Sequence, residues 1–296
     1  MKLSALSKRT EEALSAVGLD PKEIVQLVTR AIAEDLDGGE DVTSISTIAP
    51  NHRSSAEFRN RIDGVVAGID VATAVLELVG LQRIDSFAKD GDFLKPETVI
   101  LRVDGNTREI LLSERTALNF LCHLSGIATD THEWVEAVSG CTTLIRDTRK
   151  TTPGLRKLEK YAVRMGGGVN HRMSLRESAL IKDNHIAAAG GVSEAFEKVR
   201  SAFPKLEIEV EVDTLEQLNE ILPFSPDLVL LDNMSVADCR KAVEIVGGRF
   251  PLEASGGLSL DKARAYAETG VNYLAVGALT HSAKVLDIGL DLKAEI

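Results

Sequence analysis

Residues 228–276, LVLLDNMSVADCRKAVEIVGGRFPLEASGGLSLDKARAYAETGVNYLAV, contain three short apolar runs, LVLLD (228–232), FPLEA (250–254) and NYLAV (272–276), whose ends fall 22 residues apart. The intervening segments carry apolar residues at helical spacing, as in LDKARAYAETG (260–270). A strand, a loop and an amphipathic helix within so short a repeat make a compact β/α unit, which joins parallel strands through right-handed crossovers. Upstream, TTLIRD (142–147), SALIK (178–182) and EIEVEV (207–212) continue the rhythm, with VSEAFEKVRSAF (192–203) as a further helix. Six strands of this kind predict an α/β barrel or barrel-like sheet.

In such barrels the C-terminal ends of the strands carry the chemistry. Here those ends supply Arg149 and Lys150, Lys182, Glu211 and Asp213, Asp232, Ser255 with Gly256 and Gly257, and Gly277. Cations, carboxylates and glycine loops gathered on one rim predict an anion-handling active site. The charge pattern agrees: residues 146–182 hold ten Lys or Arg against three acids, in a chain whose net charge is −11. That run also contains Thr151-Thr152-Pro153-Gly154, Gly166-Gly167-Gly168 and Asn170-His171-Arg172. Glycines let backbone N–H groups approach an anion, and guanidinium forks match its oxygens. Cations beside carboxylates suit a phosphate-bearing substrate with a divalent metal. Lys182 has two readings, a charged substrate clamp or a Schiff-base nucleophile.

Before residue 140 the texture differs. Residues 21–36 have apolar positions at helical spacing, opened by Asp20 and Pro21 and ended by the acidic Asp37–Asp41 stretch. Residues 55–103 mix β-like runs (SAEFR, GVVAG, TVILRV) with an apolar helix near 70–79, an α+β pattern. Residues 108–125 read as a buried helix with Arg115 off its apolar stripe. The acidic balance argues against nucleic-acid and anionic-membrane partners. Three cysteines without metal-ligand spacing argue against disulfides and structural zinc, and no apolar run reaches membrane-spanning length. The expected compartment is the cytoplasm.

Several segments together resemble quinolinate phosphoribosyltransferase: Thr148-Arg149-Lys150-Thr151-Thr152-Pro153-Gly154-Leu155-Arg156, Glu159 to Val163, Gly166 to Arg172, Glu114 to Asn119, Leu124 to Thr129, Leu180 to His185, Glu209 to Asp213, Leu231 to Met234, Glu253 to Gly257 and Val276 to His281. One departure is Gly38-Gly39-Glu40-Asp41-Val42-Thr43, longer than the family's usual Gly-Asp step. The resemblance implies an N-terminal α/β sandwich over residues 1–124, with 282–296 packing back on it, and an open α/β barrel of fewer than eight strands over 125–281. It implies transfer of phosphoribosyl from phosphoribosyl pyrophosphate to quinolinate with decarboxylation, in de novo NAD biosynthesis. Arg115, Thr148, Arg149, Lys150, His171, Arg172 and Lys182 would bind substrate. Lys150, Lys182, Glu211 and Asp232 would be catalytic, with Glu211 and Asp232 meeting Mg²⁺ directly or through water. Ser255, Gly256, Gly257, Val276, Gly277 and Ala278 would surround the 5′-phosphate. The family works as a homodimer with shared active sites, which puts Arg115 across the interface and leaves further assembly open.

Three rival readings stand beside this one. A phosphoribosyltransferase of the same fold acting on nicotinate would lack the clamp for a second carboxylate. A Lys182 aldolase would form a borohydride-trappable adduct. A non-catalytic anion-binding barrel would not need Glu211 and Asp232 at its rim.

Overall fold

The computed structural model describes residues 3–294, which fall into two compact units. The first contains the described residues up to Asp130, the segment Lys157–Gly166 and the chain from Ala283 onward. Its strands are β1 (Arg53–Asn60), β2 (Gly64–Val65), β3 (Arg83–Ser86), β4 (Phe93–Leu94) and β5 (Val99–Asn106). An antiparallel sheet runs in the order C-terminal strand (Ile288–Ala294), β1, β5, β3, and β2 pairs with β4. Period-two alternation buries Ala56 and Phe58 on one face of β1. Glu57, on the other face, is covered by Arg59, Arg102 and Lys293, and their hydrogen bonds pull its carboxyl down to about 2.

Helix Pro21–Leu36 begins where Asp20 accepts from the Lys22 N–H at 2.9 Å and ends at Asp37 in the left-handed region. The longer Gly38–Thr43 step has a local reason: Asp41 caps a short helix, Val42–Thr47, by accepting from Ser44 N–H at 3.0 Å. Helix Ile69–Val79 lies deep in the unit, with Ala72, Val75 and Leu76 fully buried. The helix expected over 108–125 runs on, from Thr107 to Ala137. Gly126 is not its end. A Cβ there would strike the Lys284 carbonyl, so the glycine admits a close backbone approach inside the helix.

The second unit, Thr131–Arg156 with Gly167–Ser282, carries β6 (Leu144–Arg146), β7 (Ala179–Ile181), β8 (Ile208–Val212), β9 (Leu228–Asp232), β10 (Leu252–Ser255) and β11 (Tyr273–Ala275). These lie within the expected runs, except that β10 extends to Ser255. The sheet order is β6-β11-β10-β9-β8-β7, with every neighbouring pair parallel. No ladder joins β6 to β7 among the described residues; a single bridge from Arg146 to Val169 lies beside β6 instead. The fold is therefore an α/β sheet curved into an open barrel of six strands. No helix among the described residues is long and apolar enough to cross a membrane.

Candidate active site

Strand register brings the rim residues together. Asp232 at the end of β9 is level with Ser255 of β10, and Glu211 of β8 is level with Leu230 of β9. Lys182, just beyond β7, reaches Glu211 with Nζ 2.7 Å from Oε2. An amine tied to a carboxylate in this way suits a charged clamp, not the desolvated free amine of a Schiff-base enzyme. Burial, followed by the charges of Glu211 and Asp213, pushes the Asp232 carboxyl above its ordinary range, against the pull of Lys182 and Lys150. Crowded carboxylates of this sort are relieved by a divalent cation. They fit Mg²⁺, which keeps several waters and substrate oxygens and needs only one or two protein carboxylates.

The basic segment does not act as one patch. Lys157 pairs with Glu23 at 2.6 Å and Arg164 donates to the Val17 carbonyl at 2.7 Å, so both serve the first unit. Arg156 braces the loop around it, donating to Thr151 Oγ1 at 3.0 Å and the Met173 carbonyl at 3.1 Å. Arg149 and Arg172 differ: each has a buried Nε–H with no acceptor. Burial and then the Arg149 charge lower the Arg172 pKa. Two neighbouring guanidinium groups with unmet buried donors suit an anion.

Lys150 is exposed, and its aliphatic stem lies over Gly277: a Cβ at Gly277 would sit 3.1 Å from Lys150 Cδ and 3.3 Å from His281 Nε2. Thr148 Oγ1 accepts from Lys150 N–H at 3.0 Å, and Thr280 Oγ1 donates to the Lys150 carbonyl at 2.9 Å, tying the 148–150 turn to the 277–281 turn. Val276 is buried at the end of this last strand and Ala278 is exposed beyond it. In the neighbouring loop Gly256 has φ +88°, and a Cβ there would sit 2.6 Å from Asn233 Cγ and 2.9 Å from Asn233 N. The N–H groups of Gly256, Gly257 and Gly277 have no backbone acceptor among the described residues.

Beneath the rim lies a layer that sequence reasoning missed. Glu209 of β8 and Glu253 of β10, two strands apart, both reach His171, with oxygens 2.9 and 3.6 Å from Nε2. Arg146 of β6 donates to the other Glu253 oxygen at 2.7 Å and stacks on Tyr273. The barrel interior is thus polar. The period-two placement of Glu209 with Glu211, and of Glu253 with Ser255, was the available signal. Burial and the Glu209 charge raise the Glu253 carboxyl. His171 itself was expected to contact substrate; its ring faces these carboxylates through Nε2 and accepts the Arg172 backbone N–H at Nδ1, 2.7 Å away. Ligand atoms of His171, Glu209 and Glu253 lie within 4.8 Å of one another. A metal would need the Nε2 lone pair, yet an N–H donating to Nδ1 puts the ring proton on Nε2.

Arg115 stands on the part of helix Thr107–Ala137 that belongs to the first unit, exposed and without an ion pair among the described residues.

The family profile for the C-terminal domain of quinolinate phosphoribosyl transferase matches residues 127–291, and that for its N-terminal domain matches residues 41–125. The chain is 52% identical over 271 residues to nicotinate-nucleotide pyrophosphorylase (carboxylating) of Mycobacterium leprae, covering 90% of this chain and 95% of that one. It is 41% identical to the probable enzyme of the same name from Bacillus subtilis, over 91% and 93% of the two chains. Among solved structures, the nicotinate-nucleotide pyrophosphorylase of Francisella tularensis superposes with a TM-score of 0.88 at 38% identity, over 92% and 96% of the chains.

Proposed function

Because this chain belongs to the quinolinate phosphoribosyltransferase family, we propose that the rim of its open barrel is where phosphoribosyl pyrophosphate and quinolinate meet. The enzyme transfers phosphoribosyl to quinolinate, releasing pyrophosphate and CO₂ and forming nicotinate mononucleotide in NAD biosynthesis. The observation that carries the site assignment is the pair of buried, unmet Nε–H donors on Arg149 and Arg172. Quinolinate bears two adjacent carboxylates, and two guanidinium forks with Thr148, Lys150 and Lys182 around them match that charge. Arg115 completes the clamp from the partner in a homodimer with shared sites.

The phosphoribosyl donor takes the other half of the rim. Its 5′-phosphate is held by backbone N–H groups around Ser255, Gly256, Gly257, Val276, Gly277 and Ala278. Glu211 and Asp232 face the ribose and would hold Mg²⁺, directly or through water. When bound with the donor, the ion supplies charge neutralisation for the departing pyrophosphate. As that bond breaks, positive charge develops at ribose C1, and Glu211, buried and fixed by Lys182, stabilises it electrostatically. The pyridine nitrogen forms the new bond to C1 and becomes cationic. Loss of the neighbouring carboxylate then leaves an electron pair on carbon beside that cationic nitrogen, and a proton takes its place. Lys150 and Lys182 orient the reactants as charged clamps. Cytoplasmic residence accords with the free state of Cys122, Cys141 and Cys239.

The test is binding. Arg149→Ala and Arg172→Ala should each weaken quinolinate binding by roughly 2–5 kcal/mol, the cost of removing one partner of a buried charged pair, while phosphoribosyl pyrophosphate binding stays near wild type. Unchanged quinolinate affinity in both variants would refute the assignment.

A further inference from the structure

The charge layer inside the barrel lies apart from the proposed substrate contacts, yet it touches the substrate loop through one residue. His171 is buried, and both of its ring nitrogens have partners within the protein. Nδ1 accepts the N–H of Arg172 at 2.7 Å. Acceptance requires a lone pair there, so the ring proton is on Nε2, where the Glu209 carboxylate waits 2.9 Å away. The imidazole is therefore clamped between a strand side chain and the backbone of the next residue. The His171 N–H is in turn held by Asp147 Oδ1 at 2.8 Å, and the Asn170 amide by Asp147 Oδ2 at 2.6 Å, which fixes the turn from its other side.

The residue so fixed is Arg172. Its NH1 donates to the Ser178 carbonyl at 2.6 Å, and its Nε–H is buried without an acceptor. A guanidinium anchored at one end and unmet at the other is useful only while its backbone stays in register.

We propose that Glu209 is a positioning residue for the reaction: by accepting the Nε2 proton of His171 it holds the ring in the tautomer whose Nδ1 grips the Arg172 backbone, and so keeps the Arg172 guanidinium set for the substrate's carboxylate. The Arg146–Glu253 pair supports this from the flank. Arg146 takes one Glu253 oxygen at 2.7 Å, and the other lies 3.6 Å from His171, so Glu209 remains the nearer acceptor. A site for a divalent cation at these same residues is disfavoured by the Nε2 proton and by the Arg146 cation beside Glu253.

This inference rests on Arg172 being a quinolinate ligand, and the experiment separates the two. Steady-state kinetics are measured on the whole enzyme with Glu209→Leu, Glu209→Gln, Arg172→Ala, His171→Ala and the Glu209→Leu/His171→Ala double variant. Glu209→Leu should raise the KM for quinolinate about tenfold or more while the KM for phosphoribosyl pyrophosphate stays within about twofold. Glu209→Gln, whose amide oxygen still accepts from Nε2, should recover most of that loss. In the His171→Ala background Glu209→Leu should add nothing, because its route has gone. A Glu209→Leu effect that falls equally on both substrates, or that persists undiminished without His171, would overturn the proposal and leave Arg172 as a ligand. An Arg172→Ala enzyme with unchanged quinolinate KM would overturn the site reading, and the proposal with it. Should Glu209→Leu not fold, the ¹⁵N spectrum of the wild-type His171 ring decides: a protonated Nε2 and bare Nδ1 support the proposal, and a protonated Nδ1 overturns it.

Discussion

Replacing Gly256 by alanine should damage the phosphoribosyl site far more than the same change one residue later. At Gly256 the backbone has φ +88°, and a Cβ would lie 2.9 Å from the Asn233 backbone nitrogen and 2.6 Å from its Cγ, with Oδ1 nearer still. The backbone nitrogen cannot simply swing away. The left-handed conformation alone costs an alanine roughly 1–2 kcal/mol. Displacing Asn233 also breaks its 2.6 Å hydrogen bond to Asp232 Oδ2, a bond to a charged group worth about 1.5–3 kcal/mol. A combined loss of about 3 kcal/mol corresponds to roughly two powers of ten in kcat/KM. At Gly257, with φ +58°, a Cβ meets nothing within 4 Å, so only the conformational strain remains. The assay is kcat/KM for phosphoribosyl pyrophosphate at saturating quinolinate, with thermal melts alongside. Gly256→Ala should lose about a hundredfold and Gly257→Ala no more than about thirtyfold. Equal losses, or a Gly256→Ala enzyme near wild type, would refute the argument that the Asn233–Gly256 contact shapes the site.

Nicotinate, which lacks the second carboxylate, should be a poor substrate, because it would leave a buried guanidinium unpaired; competition assays against quinolinate measure the ratio. Asp232→Asn should be catalytically crippled yet more stable at neutral pH. The folded Asp232 pKa is raised by burial and its acidic neighbours, so its charge costs stability as pH rises above the ordinary 3.8; melts should show the gain shrinking as pH falls toward 3.8 and gone below it. Mixing Arg115→Ala with Lys150→Ala subunits should restore activity above either parent if the site is shared between protomers, and absence of recovery after verified subunit exchange would place the site within one chain.

The barrel was legible because buried parallel strands need continuous apolar runs, and LVLLD and NYLAV could hardly be anything else. Their rim residues followed from chain position alone. The inner polar layer did not: Arg146, Glu209 and Glu253 sit in the runs TTLIRD, EIEVEV and FPLEA, and only the curvature that turns β6, β8 and β10 toward one His171 reveals that they meet. His171 illustrates the limit of motif reading, since its place beside Arg172 does not say which way its ring points. In the first unit the helix expected over 108–125 continues through Gly126, which makes room for a crossing backbone. The basic run read as one patch because charge is countable in sequence, but helix Arg156–Met165 carries Lys157 and Arg164 to partners in the first unit.

The most direct test is product stoichiometry. Purified enzyme is given carboxyl-labelled quinolinate, phosphoribosyl pyrophosphate and Mg²⁺, and CO₂, pyrophosphate and nicotinate mononucleotide are counted together. The account predicts that all three appear in equal amounts and that none forms when phosphoribosyl pyrophosphate is omitted. Nucleotide formed without CO₂, or nicotinate used as readily as quinolinate, would contradict it.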